Sequence, residues 1–227
     1  MIGRMAAPPL ISLRAVRAAQ KASRDGSWNE CPPGSLEEVA AGVALCRRCA
    51  LWRGATQGVA GAGPARAALM LVGEQPGDQE DLGGQPFVGP AGRVLDAGLA
   101  RVGAPRSETY VTNAVKHFKH ELRGKRRLHK TPDAGEVSAC RWWLDAERRL
   151  VRPKVIVAMG ATAALAVFGR PTPIGRHRGQ AFDLPSGAKG VVTYHPSFVL
   201  RLPDEAAKQR VFAEFVADLA FAWKLAG

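Results

Sequence analysis

Five stretches of this 227-residue chain gather residue types that can bind and transform a ligand. Gly73-Glu74-Gln75-Pro76-Gly77-Asp78 lets the backbone turn tightly while presenting carboxylates, although a plain strand-to-loop turn would look the same. Residues 85–92 form a proline- and glycine-rich loop around one ring, Phe87, which suits a flat ligand stacked on that ring. Cys46-Arg47-Arg48-Cys49 is a C-x2-C pair whose thiolates can grip one metal ion or cluster. His195-Pro196-Ser197 supplies an imidazole and a hydroxyl. Residues 116–130 include seven Lys and Arg, a density that suits phosphate contacts or a solvated basic loop.

Those stretches need elements to position them. Ala68-Leu69-Met70-Leu71-Val72 is a short apolar run stopping at Gly73, as a buried parallel strand would. Further buried strands are expected over Thr109 to Val115, Val155 to Met159 and Val191 to Tyr194. Helices are expected from the cap at Ser35, from about Gly92 to Val102, from Ala161 to Phe168, and from Pro203 onward. In the last of these, Val211, Phe215, Leu219 and Trp223 follow i, i+4 spacing. Strands alternating with helices predict an α/β fold whose mostly parallel sheet is covered on both faces. Ligands in such folds bind beyond the carboxyl ends of the strands, where Gly73, Asn113, Gly160 and His195 fall.

Composition narrows the partners. Lys and Arg number 32 against 20 Asp and Glu, a net charge of +12, which favours polyanions such as nucleic acid. No apolar run approaches the ~20 residues needed to span a bilayer, so no membrane role and a cytoplasmic location are expected. Four cysteines in a chain of this size do not suggest a disulfide framework. Residues 1–34 read as a basic, disordered tail ending in linker, with an organelle-targeting segment or an upstream start codon as alternatives; residues 35–227 read as one domain.

The segment GEQPGDQEDLGGQPFVGPAG resembles the first motif of the family 4 uracil-DNA glycosylases, and HPSFVLR, His195 to Arg201, resembles their second. The likeness covers about Ser35 to Leu225. It implies a three-layer α/β/α sandwich on a central, mostly parallel four-stranded sheet, and a monomer acting on uracil-containing DNA, single strands included. Lys125-Arg126-Arg127-Leu128-His129 resembles the Lys-Arg-Arg-x-His motif of the branch called UdgX, with Leu128 where Ile is usual. That branch is known for covalent capture, so the resemblance implies that His129 attacks C1′ of the abasic sugar, with Glu74 accepting the released proton. The alternative is ordinary turnover, with water as nucleophile and His129 lining the pocket.

Under this resemblance Phe87 stacks on the flipped base, Asn113 reads its edge, and Gln75 and Gly77 add contacts. His195 stabilises the leaving uracil, and Asp78 orients the site. Lys125, Arg126, Arg127, Arg178, Ser197 and Arg201 are the expected DNA contacts, with His177 beside them. For the metal site, Cys46, Cys49 and Cys140 match family ligands of a 4Fe-4S cluster, and His117 stands where a fourth cysteine is usual. Sequence chemistry alone fits a Cys3His zinc site as well, and Cys31 reads as a free thiol. Two further classes are weaker. A nucleic-acid-binding module without chemistry would have no need of Glu74, Asn113, His129 and His195 together. A nucleotide-binding loop at Gly73 to Gly77 lacks the Lys-Ser/Thr ending of a P-loop.

Overall fold

A computed structural model of the chain describes residues 11–25 and 32–227. In chain order, helices α1 (Leu13–Asp25) and α2 (Leu36–Ala44) precede strand β1 (Leu69–Gly73). Helices α3 (Asp78–Gly83) and α4 (Pro90–Val102) lead to β2 (Thr109–Asn113), and a small ribbon, β3 (His120–Arg123) and β4 (Arg126–His129), follows. Then come α5 (Ala134–Val151), β5 (Val155–Met159), α6 (Ala161–Phe168), α7 (Ile174–His177), β6 (Ala181–Asp183), β7 (Lys189–Thr193), α8 (Pro196–Arg201) and α9 (Glu205–Ala226).

The main sheet has the order β2-β1-β5-β7-β6. Four strands are parallel, with Gly73 beside Asn113 and Met159 beside Thr193, so their carboxyl ends share one edge. β1, β2 and β5 are buried along their whole length, which is why β1 and β5 read as unbroken apolar runs, while β2 also buries the polar Thr109, Thr112 and Asn113. Successive side chains still divide between two cores. Met70, Val72, Tyr110, Ile156, Ala158 and Val192 pack under α2, α5 and α6. Leu69, Leu71, Val111, Val157, Met159 and Val191 pack against α4 and α9. The period of two thus makes the three layers.

Local signals set the ends of the elements. Ser35 caps α2 by accepting from the Glu38 amide. Asp133 and Glu136 form a reciprocal capping box at α5. Pro90 opens α4 and Gly103 closes it in the left-handed region.

Three features depart from the sequence reading. The sheet has a fifth strand, β6, paired antiparallel to β7 at the edge; at three residues, none of them buried, it carries too little pattern to read. Residues 120–129, read as part of a basic loop, form an antiparallel ribbon turned by Gly124-Lys125, with Gly124 at φ 61°. Its strands are almost all polar, and Leu122 is 72% exposed, so no apolar alternation announces them. Within the supposed tail, residues 13–25 form α1, which buries Ala15 and Ala19 against Ala41 of α2. Arg4, Gly26, Ser27 and Cys31 lie outside the described residues. Among those described, no helix is long and apolar enough to cross a membrane.

Candidate active site

A cavity of about 380 Å³ opens at the carboxyl edge of the parallel strands, lined among others by Glu74, Phe87, Asn113, His129 and His195. β1 delivers Glu74, β2 delivers Asn113, β4 delivers His129, and β7 runs into His195. Three five-residue strands in one sheet, with the ribbon beside them, therefore bring together residues far apart in the chain.

Phe87 is held in the left-handed region at φ 57°, buried to 6% exposure. A non-glycine residue there stores strain that the surroundings must hold in place. They do so by close approach. A Cβ on Gly92 would lie 1.9 Å from the Phe87 carbonyl, and one on Gly73 would lie 2.5 Å from the Phe87 ring and 2.4 Å from Asn113 Oδ1. Glu80 fastens the same loop, accepting from the Gly77 amide at 3.0 Å and the Gly89 amide at 2.6 Å.

Two buried polar side-chain atoms lack a partner among the described residues, Asn113 Oδ1 and His195 Nε2. Both belong to lining residues of this cavity. The tautomer of His195 follows from its neighbours. Its Nδ1 lies 3.2 Å from the Ser197 amide, which can only donate, and 2.8 Å from the Ser197 hydroxyl. Nδ1 is therefore an acceptor, and in the neutral ring the proton sits on Nε2. Burial, with smaller contributions from Arg201 and His129, pushes the imidazole down to about 4, against the pull of Glu74. The site thus offers one neutral N–H donor and one amide acceptor, both buried.

Glu74 lies deeper than His129. Its Oε2 accepts from Thr162 Oγ1 at 2.9 Å and its Oε1 lies 3.2 Å from His129 Nε2. Burial would raise the carboxyl, but the His129 and Thr162 hydrogen bonds and the nearby imidazoles outweigh it and hold it below the ordinary range.

Several expected roles change in place. Gln75 lines the cavity, yet its amide is committed elsewhere. Nε2 donates to the Lys119 and Lys130 carbonyls, and Oε1 accepts from the Lys119 amide, clasping both ends of the ribbon. Arg127, an expected DNA contact, instead turns its Nε to Asp78 at 2.6 Å and its Nη1 to buried Asp81 at 2.6 Å. Asp78 accordingly docks the ribbon and does not line the cavity. Arg178 turns inward to Asp218, the Glu214 carbonyl and the Tyr194 ring. Ser197 and Arg201 line the cavity and bond each other at 3.0 Å. Lys125 and Arg126 lie on the exposed side of the ribbon, and His177 packs edge-on against Phe182.

The sequence reading missed Thr162, Thr131, Glu80, Asp81 and a buried cluster beneath Asn113. Lys116 and Glu147, both fully buried, pair at 2.7 Å. Lys116 also donates to Thr112 Oγ1 and the Asn113 carbonyl. Glu147 accepts from the Gly61 amide and Thr112. Thr162 had a signal, because it follows the strand end at Gly160. The Lys116–Glu147 pair had none, since a lone Lys in a basic stretch reads as surface.

Cys46, Cys49 and Cys140 are free thiols around one region. Trp143 Nε1 donates to Cys46 Sγ at 3.2 Å, and the Lys116 amide donates to Cys140 Sγ at 3.1 Å. Burial pushes Cys140 up to about 12, with Cys46 and Cys49 adding to it against Lys116. His117 is buried and neutral, pushed down to about 4 by burial and by Arg47. Among the described residues no three such donors converge tightly enough to hold a single metal ion. Clustered thiols without a disulfide, each receiving an N–H bond or facing its fellows, are nevertheless a donor set for a larger thiophilic group.

Comparison with known proteins agrees with this layout. Residues 60–220 match the model of the uracil DNA glycosylase superfamily. The chain belongs to that superfamily. It is 36% identical over 176 residues to a type-4 uracil-DNA glycosylase of Archaeoglobus fulgidus, covering 74% of this chain and 85% of the relative. It is 37% identical over 167 residues to a type-4 uracil-DNA glycosylase of Thermotoga maritima, covering 73% and 83%. The residues matched to the family span the main sheet and every residue that lines the cavity.

Proposed function

We propose that the cavity receives a uracil flipped out of DNA and that the protein cleaves its N-glycosidic bond. One observation carries this reading: the unpartnered Asn113 Oδ1 and His195 Nε2 belong to residues that line one cavity together with Phe87. Uracil has the matching edge. Its N3–H donates to Asn113 Oδ1, its O4 accepts from the Asn113 amide nitrogen, and its O2 accepts from His195 Nε2–H. Cytosine has no proton at N3 and an amino group in place of O4, so it would leave the Asn113 amide mispaired. Extrusion from the stack makes the base accessible, and Phe87 recovers part of the lost stacking.

As the bond from uracil N1 to C1′ breaks, its electron pair moves onto the base and charge grows on O2. The neutral His195 donor strengthens its hydrogen bond there without moving a proton. The sugar becomes oxocarbenium-like beside the ionised Glu74. For the second half of the reaction, the type-4 relatives favour ordinary turnover. Water adds to C1′, and its proton passes to Glu74 or through His129 to solvent.

A second reading is favoured by the 3.2 Å contact of His129 with Glu74. If Glu74 takes the Nε2 proton, that nitrogen's lone pair is free to bond C1′, and the protein stays attached as in the UdgX branch. A uracil oligonucleotide run on a denaturing gel separates the two. An alkali-labile break at uracil is the turnover result, and a heat-stable band of reduced mobility is the capture result. Persistence of that band in His129→Ser would contradict His129 as the attached residue.

Cys46, Cys49, Cys140 and His117 would hold a 4Fe-4S cluster. When bound, it would supply a rigid cross-link between the Cys46–Cys49 turn, the end of β2 and α5. Iron near ~4 per chain, with matching sulfide, is the expected analysis; zinc alone would contradict it. DNA containing uracil, single-stranded included, is the proposed substrate, and a monomer the proposed form. Lys125, Arg126 and Arg201 remain the proposed phosphate contacts.

A further inference from the structure

The amino edge of the sheet carries a second cavity, of about 850 Å³. Five cations line it: Arg141, Arg148 and Arg149 from α5, then Arg152 and Lys154 from the turn into β5. Asp145 is the one acidic residue among the lining residues. Arg148 lies 3.1 Å from that carboxylate and Arg141 3.5 Å, so one acid serves two guanidinium groups. Arg148 keeps only 11% of its side chain exposed, and burial, with Arg141 adding to it, disfavours its charge despite Asp145. Arg149 donates to the Pro33 carbonyl, and Lys154 lies 3.4 Å from the Gly227 carbonyl. The groove therefore carries more positive charge than its one lining carboxylate offsets, part of it poorly solvated, and such charge gains most from an anion.

The floor is of a different kind. Ile156, Val167 and Phe168 line it, and Phe168 is only half-buried, its ring edge-on to Phe182 at 5.9 Å. A cationic rim above an apolar, aromatic floor matches a nucleotide chain, which brings phosphates and flat bases together. A simple anion would have no use for the floor. Arg152, among the lining residues, is held left-handed at φ 53° as the C-cap of α5. β5 starts here and ends at the active site. Its five residues separate the two cavities by about 16 Å, at ~3.3 Å per residue.

We propose that this groove binds a second stretch of single-stranded nucleic acid, phosphates on the arginine rim and a base against Phe168, independently of uracil capture. The protein then holds two segments at once, one at each edge of its sheet, and gains effective concentration for the second by binding the first. The site does not depend on the chemistry proposed for the first cavity, and its test reads separately from excision.

The experiment compares the full chain with the double variant Arg152→Glu/Lys154→Glu, both positions exposed and outside the catalytic cavity. Native mass spectrometry with a uracil-free oligothymidylate of about eight nucleotides counts bound strands, and calorimetry follows affinity against salt. The wild-type protein should bind two strands and the variant one. The second strand's log K in the wild type should fall with log salt, roughly 1.4 of that slope coming from Arg152 and Lys154 at ~0.7 for each neutralised phosphate, and this binding event should be missing from the variant. Uracil release from a short oligonucleotide should be equal in both, showing that the variant is folded. Equal stoichiometry and equal salt slopes would overturn the proposal. So would tripolyphosphate binding that depends on Arg152 and Lys154 while the oligothymidylate does not, since free polyphosphate would then be the ligand.

Discussion

His129 Nε2 sits 3.2 Å from Glu74 Oε1, although β1 of the main sheet leads into one and the outlying ribbon bears the other. The two meet because the ribbon is fastened on two sides. Gln75, next to Glu74, clasps both of its ends, and Arg127 pins its second strand to Asp78 and Asp81. Replacing Arg127 with Gln should therefore loosen His129 and leave buried Asp81 without its cation. The expected loss is about 2–3 kcal/mol in urea unfolding, with a drop of roughly tenfold in the step that depends on His129. An unchanged rate and stability would show that the ribbon is held by other groups.

Asn113 should decide which base is accepted. Asn113→Asp keeps the volume but replaces the amide donor with a second acceptor, which repels uracil O4. Single-turnover excision should fall by on the order of 10³-fold, as expected for a buried polar mismatch, while the fold survives. Near wild-type excision would mean that another group reads the base.

The neutral donor at His195 has a pH signature. Its folded value of about 4 lies below the ordinary 6.5, so between these values the unfolded chain binds a proton that the native chain refuses. Stability then rises with pH across that window and is lost as pH falls through it. His195→Gln should thus remove part of the acid-side loss, read from melting between pH 4 and 6.5. Excision should show no limb from His195 above pH ~5, since the ring is already neutral there.

Lys116 and Glu147 lie under the strand end that presents Asn113, fully buried and 2.7 Å apart. Lys116→Met should cost about 3–5 kcal/mol by stranding the carboxylate. Lys116→Met/Glu147→Gln should recover a large part of that loss, because no charge is left to desolvate. Denaturant titrations of the three proteins check this. Additive losses would show that the pair is not coupled.

The legible part of this protein is the part with strong local chemistry. β1 and β5 are apolar runs ending in glycine or methionine, and all four parallel strands are readable within a residue or two of their ends. Their carboxyl edge points to Glu74, Asn113 and His195 from sequence alone. What is not legible depends on pairing across distance. Nothing in residues 120–129 marks a ribbon, because the groups that fasten it are Gln75 and two aspartates in another part of the chain. Arg127 and Arg178 read as phosphate ligands for the same reason: a basic residue shows its charge in sequence but not its carboxylate. β6 is too short to show a period, and α1 too polar to show that Ala15 and Ala19 pack.

Release of free base from matched single-stranded oligonucleotides, carrying either one uracil or one cytosine, is the decisive measurement. Uracil should leave the first, whether the sugar is then hydrolysed or captured, and no base should leave the second. Intact uracil DNA, or equal release of both bases, would contradict a cavity that reads uracil through Asn113 and His195.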